Sequence, residues 1–362
     1  MHATAIMKNP ILVGIAILLL TGSLSMLPSD VDAQDGAASG TLRERLKQRW
    51  LKRHQDKPAS ESNADAIAKI DKSGDYNFTI VHDGLSRQYR VHVPQRYSAA
   101  TPTSLVLAFH GGGGDMDHMA TDKYYGLISK ADAAGFIVVF PNGYSKLSSG
   151  KFATWNAGNC CAGARDQNID DVGFIRKIIA NLTQQLNIER KQIYATGMSN
   201  GGMLTYRLAC EMADTFKAIA SVAGTDNTTS CTPKVPIAIL HIHAKNDDHV
   251  LYNGGAGKTF RDMSKITDFT SVPATIAKWV RLNSCNAAPQ RVLETSGAYC
   301  DKYSQCAGNV AVQLCVTETG GHSWPGGTKP RGDESPSQAL SADDVMWDFF
   351  SSSQHPNTSK NH

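Results

Sequence analysis

Residues 192–208 have the sequence QIYATGMSNGGMLTYRL, which is the clearest indication of the fold in this chain. Its first five residues are typical of a strand, and the residues from 203 onward have the spacing of a helix. Between them lies the pattern Gly-x-Ser-x-Gly at 197–201, which leaves almost no loop. Glycine permits a sharp turn and lets the helix pack closely against the strand. The stretch therefore predicts a strand-turn-helix unit that presents the hydroxyl of Ser199 at one end of a sheet.

Apolar runs and helical segments alternate on both sides of this unit. Runs such as LVLAF (105–109) and IAILHIHA (237–244) are continuously apolar, as is typical of strands that are covered on both faces. Strands that alternate with helices predict a mainly parallel sheet with helices on both faces, in one α/β domain. One of the helices is expected over 119–135, and another over 172–186 with Asp171 as its N-cap.

The chain begins with the features of an exported protein. Lys8 precedes the apolar run ILVGIAILLL, which is short for a membrane span of roughly 20 residues. We therefore expect residues 1–33 to be a signal peptide and the protein to be secreted, with an uncleaved anchor and a periplasmic location as alternatives. Residues 34–74 are expected to form a basic helix and linker, residues 75–352 the α/β domain, and residues 353–362 a tail.

The formal net charge of +3 is concentrated ahead of the α/β domain. Residues 34–57 contain seven Lys or Arg against three Asp or Glu, whereas residues 58–362 contain 28 of each sign. A neutral body disfavours nucleic acid as a partner. The segment TLRERLKQRWLKRH (41–54) has the spacing of a basic amphipathic helix, which predicts a weak contact with an anionic surface. A charged tether is the alternative interpretation of this segment.

The eight cysteines predict a set of disulfides, because exported proteins mature in an oxidising environment. No Cys-x-x-Cys pair is present, which disfavours a metal site. A hairpin that turns at 307–308 would place Cys300 opposite Cys315 and leave Cys306 free to reach Cys285. The predicted pairs are Cys300–Cys315, Cys285–Cys306 and Cys210–Cys231, while Cys160 and Cys161 stay unassigned.

A serine hydroxyl needs a base to take its proton, and the base needs a carboxylate to hold its tautomer. After a turn of this kind, the carboxylate and then the histidine follow the serine along the chain. His322 lies in the glycine-rich stretch ETGGHSWPGG, directly after the last predicted strand. Asp247 and Asp248 follow the strand before it. The sequence therefore predicts Ser199 as nucleophile, His322 as base and one of the two aspartates as the carboxylate.

A metal site is the alternative interpretation of these aspartates, since His241, His243 and His249 are close to them in sequence. However, His241 and His243 lie in a buried strand and point the same way. Packing and hydrogen bonding explain them more simply, and no metal is expected.

The glycine-rich loop HGGGGD, residues 110–115, follows an early buried strand. Such a loop supplies one backbone N–H of an oxyanion hole, here that of Gly112, and the residue after the nucleophile, Asn200, supplies the other. A phosphate-binding loop would need Lys-Ser or Lys-Thr after its glycines, and Asp115-Met116 stands there instead. No Gly-x-Gly-x-x-Gly opens the following helix, which excludes a Rossmann dinucleotide site. No cofactor is expected.

The motifs HGGGGD, WNAGNCC, DDVGF, GMSNGG, HAKNDDHVLYNGG and GHSWPGG occur in the order found in extracellular poly(3-hydroxybutyrate) depolymerase-like esterases. That group includes feruloyl and acetylxylan esterases of the first family of carbohydrate esterases, and this chain resembles it from residue 75 to residue 350. The resemblance implies an α/β-hydrolase fold, a serine mechanism and no cofactor. It places the family's carboxylate on Asp247, although Ala244 replaces the usual Gly and Asp248 the usual Pro.

The resemblance also indicates which residues contact the substrate. Trp324 falls on the family's tryptophan beside the catalytic histidine, which implies a wall of the acyl pocket, and Trp155 matches a loop near the site. The expected substrate is a polymeric ester, first a polyhydroxyalkanoate such as polyhydroxybutyrate, with a feruloylated or acetylated polysaccharide as the alternative. The remaining alternatives are an inactive hydrolase-fold binding protein and, from Arg331-Gly332-Asp333, an adhesion protein.

Overall fold

The computed structural model describes residues 69–257, 268–329 and 334–353. The predicted signal peptide, the basic segment 41–54 and the tripeptide 331–333 lie outside these residues, so the expectations for them stay predictions. Among the described residues, no helix is both long enough and apolar enough to cross a membrane.

One sheet of ten strands runs through the described residues. The strands are, in chain order, β1 (Gly74–His82), β2 (Leu85–Val93), β3 (Thr103–Phe109), β4 (Ile137–Pro141), β5 (Ile188–Met198), β6 (Ala218–Val222), β7 (Ala238–Ala244), β8 (Gln290–Thr295), β9 (Ala298–Tyr303) and β10 (Val312–Thr317). Across the sheet they follow the order β1-β2-β4-β3-β5-β6-β7-β10-β9-β8. The strands from β4 to β10 in this order are parallel, and the two outer strands at each edge form an antiparallel hairpin. The predicted mainly parallel sheet is confirmed.

Helices cover both faces of this sheet. The α-helices of the described residues are α1 (Met116–Met119), α2 (Asp122–Tyr125), α3 (Leu127–Ala134), α4 (Ala162–Asp166), α5 (Asp171–Gln185), α6 (Asn200–Glu211), α7 (Val272–Leu282) and α8 (Ala342–Ser352). In β3, Leu105 and Leu107 belong to one hydrophobic core with Ile175 of α5, whereas Val106 belongs to a second core with Phe350 of α8. Successive side chains of a strand point to opposite faces. A strand between two helical layers is therefore apolar at every position, as the sequence of β3 is.

The parallel strands bring the predicted functional residues to one edge of the sheet. The glycine loop at 110–115 follows β3, Ser199 follows β5, Asp247 follows β7 and His322 follows β10. Open α/β sheets bind their ligands beyond the carboxyl ends of the strands. The topology alone therefore gathers the four segments around a common site.

The helix expected over 119–135 is wrong in its extent, because the segment is broken into α2 and α3. Gly126 ends α2 in the left-handed region, with φ of 69°. One carboxylate oxygen of Asp122 accepts hydrogen bonds from the backbone N–H groups of Ile128 and Ser129, each at 2.9 Å. A left-handed glycine ends a helix and a side-chain acceptor begins the next. The sequence thus keeps a helical spacing of apolar residues across Gly126, although the helix itself is interrupted there.

The N-cap expected at Asp171 is wrong by one residue. Asp170 caps α5, since its carboxylate accepts the backbone N–H of Gly173 at 2.9 Å. The carboxylate of Asp171 is buried, and it accepts hydrogen bonds from the guanidinium of Arg87 and the backbone N–H of Asn156, both at 2.7 Å. Either of two consecutive aspartates could be the N-cap from the local sequence. Only the contacts that Asp171 makes with distant segments show that Asp170 is the cap.

All eight cysteines lie in the described residues and are paired. The three predicted pairs are confirmed, and the two unassigned cysteines are bonded to each other. The disulfides are Cys160–Cys161, Cys210–Cys231, Cys285–Cys306 and Cys300–Cys315. Cys300 of β9 lies directly opposite Cys315 of β10, as the expected hairpin requires.

Replacing both Cys300 and Cys315 with Ser should lower the free energy of unfolding by about 3 kcal/mol, because a bridge across such a short loop restricts the unfolded chain by that amount. Chemical denaturation of the variant and the wild type measures this difference. Peptide mapping without reduction checks the pairing itself. A bridge from Cys300 to Cys306 would contradict the register of β9 and β10.

Candidate active site

Ser199 lies at the turn between β5 and α6. Its backbone has φ of 55° and ψ of −120°, a strained conformation for a residue with a side chain. The turn is held because the N–H of Ser199 donates to the carbonyl of Val222, and the N–H of Met203 donates to the carbonyl of Ser199, both at 2.8 Å. A side chain at Gly201 would overlap the carbonyl oxygen of Phe109. The glycine lets α6 approach β3, and within the turn at 197–201 it is Ser199 whose backbone has the positive φ.

His322 and Asp247 are joined by a hydrogen bond. Nδ1 of His322 donates to Oδ2 of Asp247 at 2.8 Å. The other oxygen of this carboxylate, Oδ1, accepts the backbone N–H groups of His249 at 2.8 Å and Val250 at 2.9 Å. Ser199 and His322 line the same cleft. The structure thus brings the predicted serine, histidine and carboxylate together.

The contacts of Asp247 keep it ionised. Burial alone would raise the pKa of this carboxyl, but the charge of His322 and the hydrogen bonds from His243 and His322 hold the pKa well below its usual range. An ionised carboxylate accepts hydrogen bonds and donates none. The proton of the shared hydrogen bond therefore belongs to Nδ1 of His322, and Nε2 is the nitrogen that can accept a further proton.

A buried chain of hydrogen bonds ends on the same carboxylate. Nε2 of His243 lies 2.8 Å from the carbonyl of Val250 and 3.2 Å from Oδ2 of Asp247, so this nitrogen is the donor. Nδ1 of His243 then accepts from Nε2 of His241 at 3.1 Å, and Nδ1 of His241 accepts from the hydroxyl of Tyr206 at 2.8 Å. Burial lowers the pKa of His241 and raises that of Tyr206, which keeps both groups neutral. The two strand histidines thus have the hydrogen-bonding role that the sequence favoured.

Asp248 makes a different contact. Its Oδ1 lies 2.6 Å from Nδ1 of His249, and its side chain is exposed. The ring of His249 stacks on that of His322, with centroids 4.7 Å apart and 13° between the planes. The geometry therefore pairs His322 with Asp247 and leaves Asp248 to the neighbouring imidazole.

The predicted oxyanion residues are neighbours. A Cβ atom added to Gly112 would lie 3.4 Å from Cβ of Asn200, so the glycine loop passes directly beside the start of α6. Buried His110 holds this loop: its Nδ1 donates to the carbonyl of Gly111 at 2.8 Å, and its Nε2 accepts the N–H of Gly143 at 3.0 Å. Burial lowers the pKa of His110 to about 4, so the ring stays neutral and can do both.

Trp155 lies behind the oxyanion loop and not in the cleft. Its indole N–H donates to the carbonyl of His110 at 2.9 Å. Its backbone N–H donates to the side-chain oxygen of Asn200 at 2.8 Å, and the amide of Asn200 donates back to the Trp155 carbonyl at 3.0 Å. Trp155 was expected to contact the substrate, but its ring is completely buried. It instead supports the glycine loop and Asn200 from behind.

Trp324 is likewise absent from the residues that line the cleft. Only 3% of its surface is exposed, its indole N–H donates to Asp343 at 3.2 Å, and its ring packs edge-on against Tyr125 at 5.5 Å. Tyr125 itself lines the cleft. The wall expected of Trp324 is thus formed by Tyr125, with the tryptophan packed behind it.

The cleft above Ser199 has a volume of about 890 Å³, within the range of small-molecule sites. The glycine loop 111–114 forms one side, and His249, Val250 and His322 lie on another. The sequence did not indicate its aromatic lining, which includes Tyr124, Tyr125, Phe152 and Phe269. These residues lie on loops and short helices, so their spacing in the sequence does not indicate that they line one cleft.

One group of side chains in the described residues is compact enough to hold a metal ion. Ligand atoms of Asp247, Asp248 and His249 lie within 4.8 Å of one another. Both oxygens of Asp247 already accept hydrogen bonds, and Asp248 is paired with His249. Because both oxygens of the one buried carboxylate in this group are already engaged, the group fits an acid–base site better than a metal site.

A protein-family model described as "Putative esterase" matches residues 84–325. The matched segment contains Ser199, Asp247 and His322 as well as the glycine loop at 110–115. It begins at the turn between β1 and β2 and extends past β10, so it covers the strands that carry the site.

The curated relatives are esterases. Feruloyl esterase B of Piromyces equi is 29% identical over 242 residues, which cover 66% of this chain and 42% of that protein. Feruloyl esterase C of Emericella nidulans is 30% identical over 173 residues, which cover 47% and 58%. A bifunctional acetylxylan esterase/xylanase of Neocallimastix patriciarum is 29% identical over 181 residues, which cover 49% and 24%. The chain therefore spans less than two thirds of the length of each of these relatives.

Solved structures share the fold. An acetyl xylan esterase from Aspergillus awamori has a TM-score of 0.51 at 13% identity, over 76% of this chain and 99% of that one. The protein named sOPH has a TM-score of 0.52 at 16% identity, over 82% and 91%. At these identities the likeness concerns the fold, and it confirms the α/β-hydrolase fold.

The low pKa of Asp247 predicts how stability changes with pH. Its folded-state pKa lies below the value of about 4 in the unfolded chain, so ionised Asp247 stabilises the fold above pH 4, and this contribution is lost as pH falls further. Asp247→Asn should therefore cost about 1–3 kcal/mol at pH 7 and clearly less at pH 3. Urea unfolding at both pH values measures this, with exposed Asp248→Asn as the control. Equal costs of Asp247→Asn at the two pH values would contradict the assignment.

Proposed function

Because the chain belongs to the esterase family whose model matches residues 84–325, we propose that it is a serine esterase that cleaves carboxylic esters through an acyl-enzyme. The hydrogen bond between His322 and Asp247 carries the proposal, since it leaves Nε2 of His322 as a base. In the proposed reaction Nε2 takes the proton of Ser199 as Oγ attacks the ester carbon. It returns that proton to the leaving alcohol as the C–O bond breaks, and water then releases the acid in the same two steps.

The backbone N–H groups of Gly112 and Asn200 are the proposed donors to the oxyanion. Asn200 is the first residue of α6, where the helix dipole adds positive charge. The hydrogen bonds between Asn200 and Trp155 and the buried His110 support both donors from behind. A rigid pair of donors stabilises the charge that develops on the carbonyl oxygen without reorganising during the reaction.

We propose a feruloyl ester linked to polysaccharide as the substrate. The three relatives described above are feruloyl and acetylxylan esterases, and they favour this alternative over the polyhydroxybutyrate that the sequence put first. Aromatic side chains such as Tyr125, Phe152 and Phe269 line the cleft, and flat rings pack well against a hydroxycinnamoyl group. A polyhydroxybutyrate ester offers no ring to these residues.

We also propose that the protein is secreted. Its cysteines are all paired in four disulfides, and such bonds persist in oxidising compartments. The apolar run at 11–20 supplies the export signal in this proposal. The bacterial periplasm meets the same chemical requirement and is the alternative location.

Ser199→Ala should lower kcat by about 10⁴–10⁶ and leave the fold intact, because the variant keeps every contact except the nucleophile. Asp247→Asn should cost on the order of 10⁴, since the imidazole would be held in the wrong tautomer. The matched control, Asp248→Asn, should cost less than about tenfold. Hydrolysis of p-nitrophenyl acetate measures all three, and thermal unfolding checks their folding. If the two aspartate variants reversed this order, Asp248 would be the carboxylate of the triad.

The substrate proposal predicts a preference for short and aromatic acyl groups. Methyl ferulate and p-nitrophenyl butyrate should be cleaved faster than p-nitrophenyl palmitate, because aromatic rings line the cleft and pack best against a compact or planar acyl group. Acid release from poly(3-hydroxybutyrate) films should be slow beside ferulate release from a feruloylated polysaccharide. Faster cleavage of the palmitate, or of the film, would contradict the proposed substrate while leaving the serine mechanism in place.

A further inference from the structure

A second imidazole–carboxylate pair lies beside the one that orients the proposed base. Nδ1 of His249 is 2.6 Å from Oδ1 of Asp248, and the ring of His249 stacks on that of His322. The backbone N–H of His249 also donates to Asp247. Two consecutive aspartates thus each hold one ring of a stacked pair. The proposed mechanism uses only one of these pairs.

The position of His249 beside His322 places it near the alcohol part of a bound ester. In the proposed reaction Nε2 of His322 gives its proton to the leaving alcohol, so the alcohol must lie against that ring. His249 stacks on His322, lines the cleft and has 37% of its side-chain surface exposed. The glycine loop 111–114, which would hold the oxyanion, lies beside Asn200. His249 is therefore adjacent to the alcohol part of a bound ester.

The chemistry of the pair favours a hydroxylated alcohol. An imidazole whose Nδ1 is engaged by a carboxylate presents a polar ring edge. With 37% of the His249 side chain exposed in the cleft, an apolar alcohol placed against the ring would exclude water from a polar surface without offering it a hydrogen bond. A sugar carries further hydroxyl groups next to the ester oxygen, and these can replace the lost water. Asp248 fixes the ring in the orientation in which it would meet them.

We propose that His249, held by Asp248, is a specificity-determining residue that hydrogen-bonds to a hydroxyl group of a saccharide leaving group. The inference rests on the proposed esterase function, because His322 defines the alcohol side of the cleft. It extends that function from the acyl group to the alcohol.

The test compares two esters that share the feruloyl group and differ in the alcohol: methyl ferulate and a feruloylated arabinose-containing oligosaccharide. The measured quantity is the ratio of their kcat/KM values, oligosaccharide over methyl ester. His249→Phe keeps a flat ring for the stack and removes the ring nitrogens, so it should lower the ratio by about threefold to tenfold, the effect of one lost hydrogen bond. His249→Gln keeps a polar amide and should restore part of the ratio.

The matched control is His82→Phe. Nε2 of His82 lies 2.9 Å from Asp170 in a similar pair, and neither residue lines the cleft. This variant should keep the wild-type ratio. An unchanged ratio in His249→Phe, or an equal loss on both esters, would overturn the inference, since His249 would then contact no part of the alcohol. If the wild-type protein cleaved neither methyl ferulate nor the feruloylated oligosaccharide, the proposed feruloyl substrate would be wrong as well. The wild-type assay alone shows this, before any variant is made.

Discussion

The close approach of backbone at the turn between β5 and α6 is the constraint on which the site depends. Side chains at Gly197 or Gly201 would overlap backbone atoms of neighbouring segments, so only glycine fits there. Between these two positions Ser199 has a strained backbone, with φ of 55°. The same packing brings the start of α6 against the glycine loop and sets Asn200 beside Gly112. The same packing of α6 against β3 and the glycine loop therefore positions both the proposed nucleophile and the proposed oxyanion donors.

The carboxylate depends on a second constraint, which is the satisfaction of buried polar groups. A buried charge is costly unless several donors surround it. Asp247 has donors from two backbone N–H groups and from His243 and His322. Asp248, one residue later, is exposed, and its carboxylate lies against the imidazole of the neighbouring His249. Burial, which comes from the fold of the loop after β7, thus distinguishes two chemically identical residues.

Much of this arrangement could be predicted from the sequence, because the signals are local. Continuous apolar runs predicted the parallel strands, and the spacing of Cys300 and Cys315 around a turn predicted their bridge. The hairpin of β8 and β9 was missed, although Ser296-Gly297 between two strand-like runs is a turn signal. The placement of Trp155 and Trp324 depends on contacts with His110 and Asp343, which are far away in sequence. No local pattern distinguishes a tryptophan that faces a cleft from one that is packed behind its wall.

The proposed mechanism requires the strained serine at the turn, Ser199, to be the nucleophile. A fluorophosphonate probe forms a stable bond with a serine whose proton is removed by a neighbouring base. Mass spectrometry of the peptides from labelled protein should find a single adduct, located on Ser199, and none after labelling of the denatured chain. An adduct on any other serine, or no adduct on the folded protein, would contradict the role of Ser199 as nucleophile.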